Sequence, residues 1–355
     1  MSLELPTISV IVFASDDSWY LPATLNSIRQ QTYSDFEVLV FSNNYRQTVK
    51  WFEGKQDSRF KFFFLKNLSI AQTLNRGILE AKGKYISWIY TGDLWHPTKL
   101  QKQLFCLEHY PKAGGVYSWL MGIDHQGRAT GKIVKSEHSE KIYAPIDNQG
   151  QLCAISLMVP RSCFQVIGLF DPKLKIIPGW DLWLRLNHRY SPLEINEPLV
   201  YWREGHRELA ENWLTLETDL QIIIEKAFQN ESQELSHCKS RSYGYASLFL
   251  AKTVLSHHES DPKIAHNYCR QALEHYPALG LSFKFLQVSL GIITLSCLKS
   301  DRYLRLLSLI QRVEFIFREI SYQLRVYSHR LLEWMLEEED FILVNKSKIK
   351  RQAKD

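Results

Sequence analysis

Three short polar stretches directly follow apolar runs in the first third of the chain. They lie at residues 14–17, 42–44 and 90–95, and they contain Asp16, Asn43 and Asp93 among their polar side chains. The apolar runs before them are typical of β-strands, and α/β sheets bind ligands beyond the carboxyl ends of their strands. Carboxylate and amide groups accept hydrogen bonds, and carboxylates also bind hard cations. We therefore expect a ligand site at these three stretches.

The apolar runs also predict the elements that position these residues. ISVIVFA (8–14), FEVLVFS (36–42), FKFFFL (60–65) and YISWIY (85–90) are nearly continuous and rich in β-branched or aromatic residues. Such runs are typical of strands that are buried on both faces of a sheet. Apolar residues at helical spacing lie between several of them. The alternation predicts a mostly parallel sheet covered by helices.

Strand signals fade after about residue 206, and helical patterns replace them. Residues 242–258 and 263–277 predict a helical hairpin that resembles a tetratricopeptide unit. The apolar window 281–298 contains Lys284 and Gln287, which favours a buried bundle helix over a membrane span. We therefore expect a first domain at 1–205 and a helical domain at 206–355.

Composition excludes several classes of protein. The formal net charge of +5 and the 45% content of hydrophobic residues are those of an ordinary globular chain, with no signal for nucleic-acid binding. The six cysteines form no CxxC pair, so a zinc site is not expected. No signal peptide is recognisable. We expect a cytoplasmic protein, with peripheral contact at the inner membrane face through its late basic residues as an alternative.

Four ordered stretches together resemble one enzyme family. They are residues 9–40 and 67–100, GLFD at 168–171, and WDLWLRL at 180–186. In this order they resemble the family-two glycosyltransferases, over about residues 6–203. The resemblance implies the α/β GT-A fold, which is Rossmann-like, followed here by a helical C-terminal region. It also implies transfer of a sugar from a nucleotide diphosphate to an acceptor.

The donor site departs from the family pattern at several positions. Ser42 and Asn43 stand where the family usually has a base-reading aspartate pair, and Leu74 stands in place of an arginine. In the metal-binding loop, Tyr90 and Gly92 replace two of three aspartates. The donor-binding residues that the resemblance implies are Ala14, Asp16, Asn43, Asn75, Asp93 and Arg203.

The resemblance also implies a metal site and a catalytic base. Asp93 and His206 would hold Mg²⁺ or Mn²⁺, although one carboxylate gives weak support for a metal. Arg203 or Arg207 would pair with phosphate in partial replacement of the metal. Asp181 is the candidate base, because Pro178 and Gly179 occupy the positions of the usual acidic pair. The structural alternative for Asp181 is a favourable interaction with the start of its helix.

Four tryptophans divide into core and site candidates. Trp88 and Trp183 lie within apolar elements and are expected in the core, whereas Trp95 and Trp180 flank the expected site and are candidates for a pocket wall.

Two hypotheses follow for the function. The first is a hexosyltransferase, of inverting type, that uses a UDP-sugar and a glycan or lipid-linked acceptor. The second is a binding or scaffold protein built on an inactive transferase domain, since fold does not guarantee activity. For the first, we expect Asn43, Asp93 and Asp181 to face one cleft of a parallel-rich sheet formed by residues 7–120.

Overall fold

The structure is a computed structural model, and its compact unit Met1–Leu304 contains all the residues described below. The described residues are 5–14, 18–42, 57–65, 68–135, 154–204, 212–229, 236–256 and 261–297. Four expected site residues, Asp16, Asn43, His206 and Arg207, lie outside these ranges, as does the second unit, Arg305–Asp355. The division of the chain at residue 205 stays a prediction.

One large sheet organises the first two-thirds of the chain. Its strand order is β3-β2-β1-β4-β8-β6-β9-β5, and β7 pairs with β6. Strands β3, β2, β1 and β4 are parallel, as are β6 and β9, whereas β8 runs antiparallel between β4 and β6. The mostly parallel α/β fold is thus confirmed. The strands are β1 Ile8–Ala14, β2 Phe36–Ser42, β3 Phe60–Phe64, β4 Tyr85–Tyr90, β5 Leu94–Trp95, β6 Val116–Ile123, β7 Ala129–Val134, β8 Met158–Pro160 and β9 Leu193–Arg203.

Strand register brings the ends of three strands to one edge of the sheet. Ala14 of β1 pairs with Ser42 of β2, and Phe13 of β1 pairs with Tyr90 of β4. We call this edge, marked by Ala14, Ser42 and Tyr90, the carboxyl edge. The crevice beyond such an edge is where α/β sheets bind ligands.

Helices cover both faces of the sheet. Leu25 of α1 and Leu100 of α3 share a buried cluster with Val10 of β1. On the other face α2 approaches closely, because a Cβ atom at Gly77 would lie 2.6 Å from Cγ2 of Ile11. The helices are α1 Leu21–Arg29, α2 Ile70–Glu80, α3 Lys99–His109, α4 Cys163–Ile167, α5 Pro178–Arg189, α6 Trp213–Ala227, α7 Ser236–Leu255, α8 Pro262–His275 and α9 Phe283–Cys297.

Helices α7 and α8 occupy the residues of the predicted hairpin. Asp261 accepts a hydrogen bond from the Lys263 amide and so caps the start of α8. The two helices pack tightly at Gly244, where a Cβ atom would lie 2.8 Å from Cβ of Tyr276. The likeness of this pair to a tetratricopeptide unit stays a prediction.

Helix α9 differs from the expected buried bundle helix. Val288 and Leu295 are buried, but the helix presents an apolar face to solvent, so the expectation of full burial is wrong. None of the helices in the described ranges is long and apolar enough to cross a membrane. The large exposed side chains of the helix are Phe283, Leu286, Leu290 and Ile293.

Candidate functional site

The loop after β4, residues 91–95, lies at the carboxyl edge, and we call it the donor loop. Gly92 has a φ angle of +109°, in the region that disfavours side chains with a Cβ atom. The change from aspartate to glycine at this position therefore does more than remove a carboxylate, because the backbone conformation of the loop favours glycine.

Two hydroxyl groups of α1 fix the donor loop. The Thr24 hydroxyl accepts a hydrogen bond from the Gly92 amide at 3.1 Å and donates to the Asp93 carbonyl at 2.9 Å. The Ser27 hydroxyl accepts from the Trp95 amide at 3.1 Å. Buried polar groups of a loop require such partners. The sequence of α1 thus determines the path of the loop.

The residues Gln31 and Thr32 extend this attachment. The Gln31 side chain donates to the His96 carbonyl at 2.8 Å and accepts from the Leu100 amide at 3.0 Å. The Thr32 amide donates to the Pro97 carbonyl at 2.9 Å. Both residues belong to the 9–40 stretch that carries the family resemblance, and their contacts connect the end of α1 to the segment that leads into α3.

Arg203, at the end of β9, completes the contacts of the donor loop. Its backbone amide donates to Oδ1 of Asp93 at 3.0 Å, and its Nε donates to the Gly92 carbonyl at 2.9 Å. Another guanidinium N–H donates to the Asp124 carbonyl, and Cζ lies 4.1 Å from the centre of the Tyr20 ring. Asp93 is 1% exposed and Arg203 is 6% exposed.

The described part of the donor loop offers one carboxylate to a metal. Burial raises the pKa of the Tyr90 phenol, and the Asp93 charge raises it further, so Tyr90 stays protonated. The described ranges contain no group of three or more His, Cys, Asp and Glu side chains that could hold a metal ion. One oxygen of Asp93 already accepts a backbone N–H. This donor set does not fit a metal held by the protein alone.

Two other expected donor residues have defined positions. Ala14 is buried at the end of β1, beside Ser42 of the carboxyl edge. Asn75 uses both ends of its amide on the Phe170 backbone, donating to its carbonyl and accepting from its amide, each at 2.8 Å. Asn75 thus connects α2 to the 168–171 segment. The donor-binding roles of Ala14 and Asn75 stay predictions.

Asp181 lies in a buried charged cluster on α5. Its Oδ2 accepts two bonds from Arg185, at 2.6 and 3.0 Å, and its Oδ1 lies 2.9 Å from Nζ of Lys226. The same Nζ lies 3.1 Å from Asp171. We call Asp171, Asp181, Arg185 and Lys226 the acceptor-side cluster. Since both oxygens of Asp181 contact cations, its geometry supports a structural role, and its role as a base stays a prediction.

The acceptor-side cluster fixes the turn that follows α4. Arg185 donates to the carbonyls of Ile167, Gly168 and Leu169. Burial alone would raise the pKa of Asp171, but bonds from the Lys173 amide and Lys226 outweigh it and lower the pKa. Asp171 is therefore ionised near neutral pH and holds Lys226 in place.

Helix α6 also supports the start of α5 through Asp219. This carboxylate is 1% exposed and accepts hydrogen bonds from the amides of Lys175, Ile176 and Ile177, at 3.0, 2.7 and 3.1 Å. Burial raises its pKa, and the three amide bonds oppose that rise. The acceptor side of the α/β fold is thus attached to the first helix beyond residue 205.

The aromatic expectations are partly wrong. Trp88 and Trp183 are core residues, as predicted. Trp95 and Trp180 are each only 2% exposed, so neither forms the wall of an open pocket. Trp95 instead lies against the Lys99 side chain. Trp180 makes an edge contact with Phe249, at 6.4 Å between ring centres.

Sequence reasoning missed a buried lysine behind the donor loop. Lys99 is fully buried, donates to the Ser87 hydroxyl at 3.0 Å and to Oε1 of Gln103 at 2.6 Å, and lies 4.0 Å from the centre of the Trp95 ring. Burial lowers its pKa well below the ordinary value. A lysine in the first turn of an amphipathic helix gives no signal of burial in the sequence.

Some contacts of the acceptor-side cluster can be predicted from the sequence, and others cannot. Asp181 and Arg185 are four residues apart on one helix, a spacing that brings side chains together. Lys226 comes from a different helix, and no spacing in the sequence predicts its contact. The same is true of Arg203 with the Asp124 carbonyl.

Comparisons with known proteins show similarity to glycosyltransferases. Residues 9–162 match the model of glycosyl transferase family 2. An uncharacterized glycosyltransferase of Rickettsia felis is 23% identical over 291 residues, covering 77% of this chain and 47% of that protein. One from Rickettsia typhi is 26% identical over 198 residues, covering 54% of this chain and 62% of that protein. The chain therefore spans 47% and 62% of these two relatives' lengths.

A solved structure supports the same fold. The mannosyltransferase PcManGT from Pyrobaculum calidifontis, in complex with GDP-Man and Mn²⁺, matches with a TM-score of 0.51 and 14% sequence identity, covering 88% of this chain and 87% of that one. At this identity the match concerns the fold alone. Residues 9–162 thus resemble glycosyl transferase family 2, and the α/β part of the chain has the GT-A fold.

Proposed function

We propose that the chain transfers a sugar from a nucleoside diphosphate sugar to a glycan or lipid-linked acceptor. The observation that carries the proposal is the donor loop, in which Asp93 is held at the carboxyl edge by α1 and β9. Groups that are fixed before the substrate binds lose little entropy in the reaction, which is how positioning lowers a barrier.

The chemistry proposed for Asp93 is orientation of the donor. A carboxylate accepts hydrogen bonds from hydroxyl groups, so Asp93, which is 1% exposed before the donor binds, would orient the hydroxyls of the donor ribose or of its sugar once donor binding uncovers it. The sugar is a hexose in this proposal, transferred with inversion, and UDP-sugars are the first donors to test. PcManGT is bound to GDP-Man in its solved structure, so guanosine donors belong in the same test.

The second candidate is a binding protein that retains the fold without catalysis. The acceptor-side cluster favours it, because Lys226 and Arg185 occupy both oxygens of the one candidate base. The donor loop also has a protonated tyrosine at position 90 and a glycine at position 92, where the family usually has carboxylates. Under this candidate, nucleotide binding would survive and turnover would not.

Calorimetry followed by product analysis separates the two candidates. The protein is titrated with UDP, GDP, UDP-sugars and GDP-Man, each in EDTA and in Mn²⁺, and release of nucleoside diphosphate is then measured with and without glycan or lipid-linked acceptors. Binding with turnover supports the transferase. Binding without release of nucleoside diphosphate supports the binding protein, and the absence of all nucleotide binding overturns the proposal.

Peripheral membrane contact is a further part of the proposal for lipid-linked acceptors. Basic residues increase late in the sequence, and cationic segments bind anionic lipid surfaces. Sedimentation with vesicles that contain anionic lipid tests this contact. Binding that salt reverses supports it, whereas equal sedimentation with neutral vesicles contradicts an electrostatic origin.

A further inference from the structure

The geometry points to Arg203 as a positioning residue for the donor loop and not as a ligand of the donor phosphates. This inference deepens the proposed transferase function and rests on it. Arg203 is the last residue of β9, which runs parallel to β6 and pairs with β5, so its backbone lies where three segments of the carboxyl side meet.

The guanidinium contacts three separate segments. Its Nε donates to the Gly92 carbonyl in the donor loop, and an Nη donates to the Asp124 carbonyl in the turn after β6. Its plane lies against the Tyr20 ring, just before α1, with Cζ 4.1 Å from the ring centre. The planar fork of arginine suits such fixed, divergent contacts, whereas lysine offers a single flexible ammonium.

These contacts are directed into the protein. Arg203 is 6% exposed, and its identified hydrogen bonds from Nε and Nη go to backbone carbonyls. A phosphate ligand would direct the same fork toward solvent or substrate. The side chain instead holds the Gly92 peptide in its left-handed conformation, while the Arg203 backbone amide holds the Asp93 carboxylate.

The two roles predict opposite kinetic effects for Arg203→Lys and Arg203→Gln. For a positioning residue, kcat falls about 10-fold or more, because displacement of a catalytic group by 1 Å is enough for such losses. The dissociation constants of UDP and GDP stay within about 3-fold, and the loss in the Asp93→Asn, Arg203→Gln double variant is smaller than the product of the single losses. Nucleotide binding weakened about 10-fold or more at unchanged kcat would overturn the inference.

Arg161→Lys is the matched control. Arg161 also donates from its guanidinium to a backbone carbonyl, that of Ala81 at 2.7 Å, but it lies beside the amino end of β4. We expect parent kinetics from this variant. Unfolding by urea, measured for every variant, separates a local displacement from a general loss of stability.

Hydrogen exchange keeps the inference testable if the protein proves inactive. Exchange of the peptide that covers residues 91–95 should accelerate about 10-fold or more in Arg203→Gln and stay unchanged in Arg161→Lys. Unchanged exchange in Arg203→Gln would overturn the positioning role whatever the activity. Failure of the parent protein to bind any nucleotide would overturn the proposed function alone.

Discussion

The donor loop and the acceptor-side cluster each bury one of the two carboxylates that sequence reasoning selected. Among the contacts of Asp93, the Arg203 amide donates to its carboxylate and the Thr24 hydroxyl donates to its backbone carbonyl. Asp181 is held by two cations, Arg185 and Lys226. Both residues are at most 3% exposed. The identified contacts of these two buried carboxylates therefore differ: a backbone amide for Asp93, and two cationic side chains for Asp181.

The difference indicates separate tasks for the two carboxylates. The Asp93 carboxylate accepts a backbone N–H, and in the proposed transferase its charge would act on the donor. A carboxylate with cations on both oxygens has its charge compensated, and removing it leaves those cations unpaired. Substitution at Asp93 should therefore affect turnover first, and substitution at Asp181 should affect stability first.

The largest expected effect is on turnover in Asp93→Asn. The amide keeps an oxygen for the Arg203 N–H but loses the charge, so kcat should fall about 100-fold while nucleotide affinity changes by less than about 10-fold. Donor hydrolysis and calorimetry measure the two quantities. Asp57→Asn is the control, because Asp57 pairs with Arg59 just before β3, at the opposite edge of the sheet. Equal turnover in the parent and in Asp93→Asn would contradict the separate roles that we assign to Asp93 and Asp181.

The second prediction concerns the stability of the acceptor-side cluster. Asp181→Asn should lower the free energy of unfolding by about 1–3 kcal/mol, below the 3–5 kcal/mol of a fully buried pair because Lys226 is partly exposed. Adding Lys226→Met should recover part of this loss, which a double-mutant cycle by urea unfolding measures. Lys239→Met is the control, since Lys239 pairs with Glu225 on the surface of α6. A complete loss of turnover at parent stability in Asp181→Asn would restore its role as the base.

The fold was predicted well from the sequence because the residues that carry the family resemblance also make contacts that hold the fold together. Gln31 connects α1 to the start of α3. Glu37 accepts bonds from Ser9 and from the Lys82 amide, each at 2.7 Å, near the amino ends of the strands. The strands and helices that these contacts join follow from hydrophobic patterns, although the contacts themselves do not.

The candidate site was less predictable because its contacts join distant segments. Asp93 could be selected from the resemblance, but its contact with Arg203 spans 110 residues of sequence. Lys226 reaches Asp181 from a helix that the sequence assigned to another domain. The prediction that Trp95 lines a pocket was wrong for the same reason, because tertiary packing buries this side chain and no local pattern indicates that burial.

The third prediction concerns the support behind the donor loop. Since burial lowers the pKa of Lys99 in the folded protein, the unfolded chain binds the additional proton, and stability rises with pH between the folded pKa and the unfolded value of about 10.4. Lys99→Met removes this rise. The stability of Lys99→Met relative to the parent should therefore decline from pH 7 to pH 9.5, by at most about 1.4 kcal/mol per pH unit.

Urea unfolding at several pH values measures this decline. Lys102→Met is the matched control on the same helix, because Lys102 pairs with Glu197 at the surface. A relative stability of Lys99→Met that does not change with pH would mean that Lys99 is charged in the folded protein. The neutral form that we assign to the buried Lys99 amine would then be wrong.

The smallest expected effect is that of divalent metal on the transferase. The donor loop contributes one carboxylate, and a hard cation held this way depends mainly on the phosphates of the donor for its remaining ligands. EDTA should therefore lower turnover of the parent by less than about 10-fold, and in Asp93→Asn it should have almost no further effect. Titration of donor hydrolysis with Mn²⁺ in both proteins measures this difference. Strict dependence on Mn²⁺ in the parent would show that residues beyond Asp93 complete a metal site. Asp93, like Asp181, would then lie next to a cation.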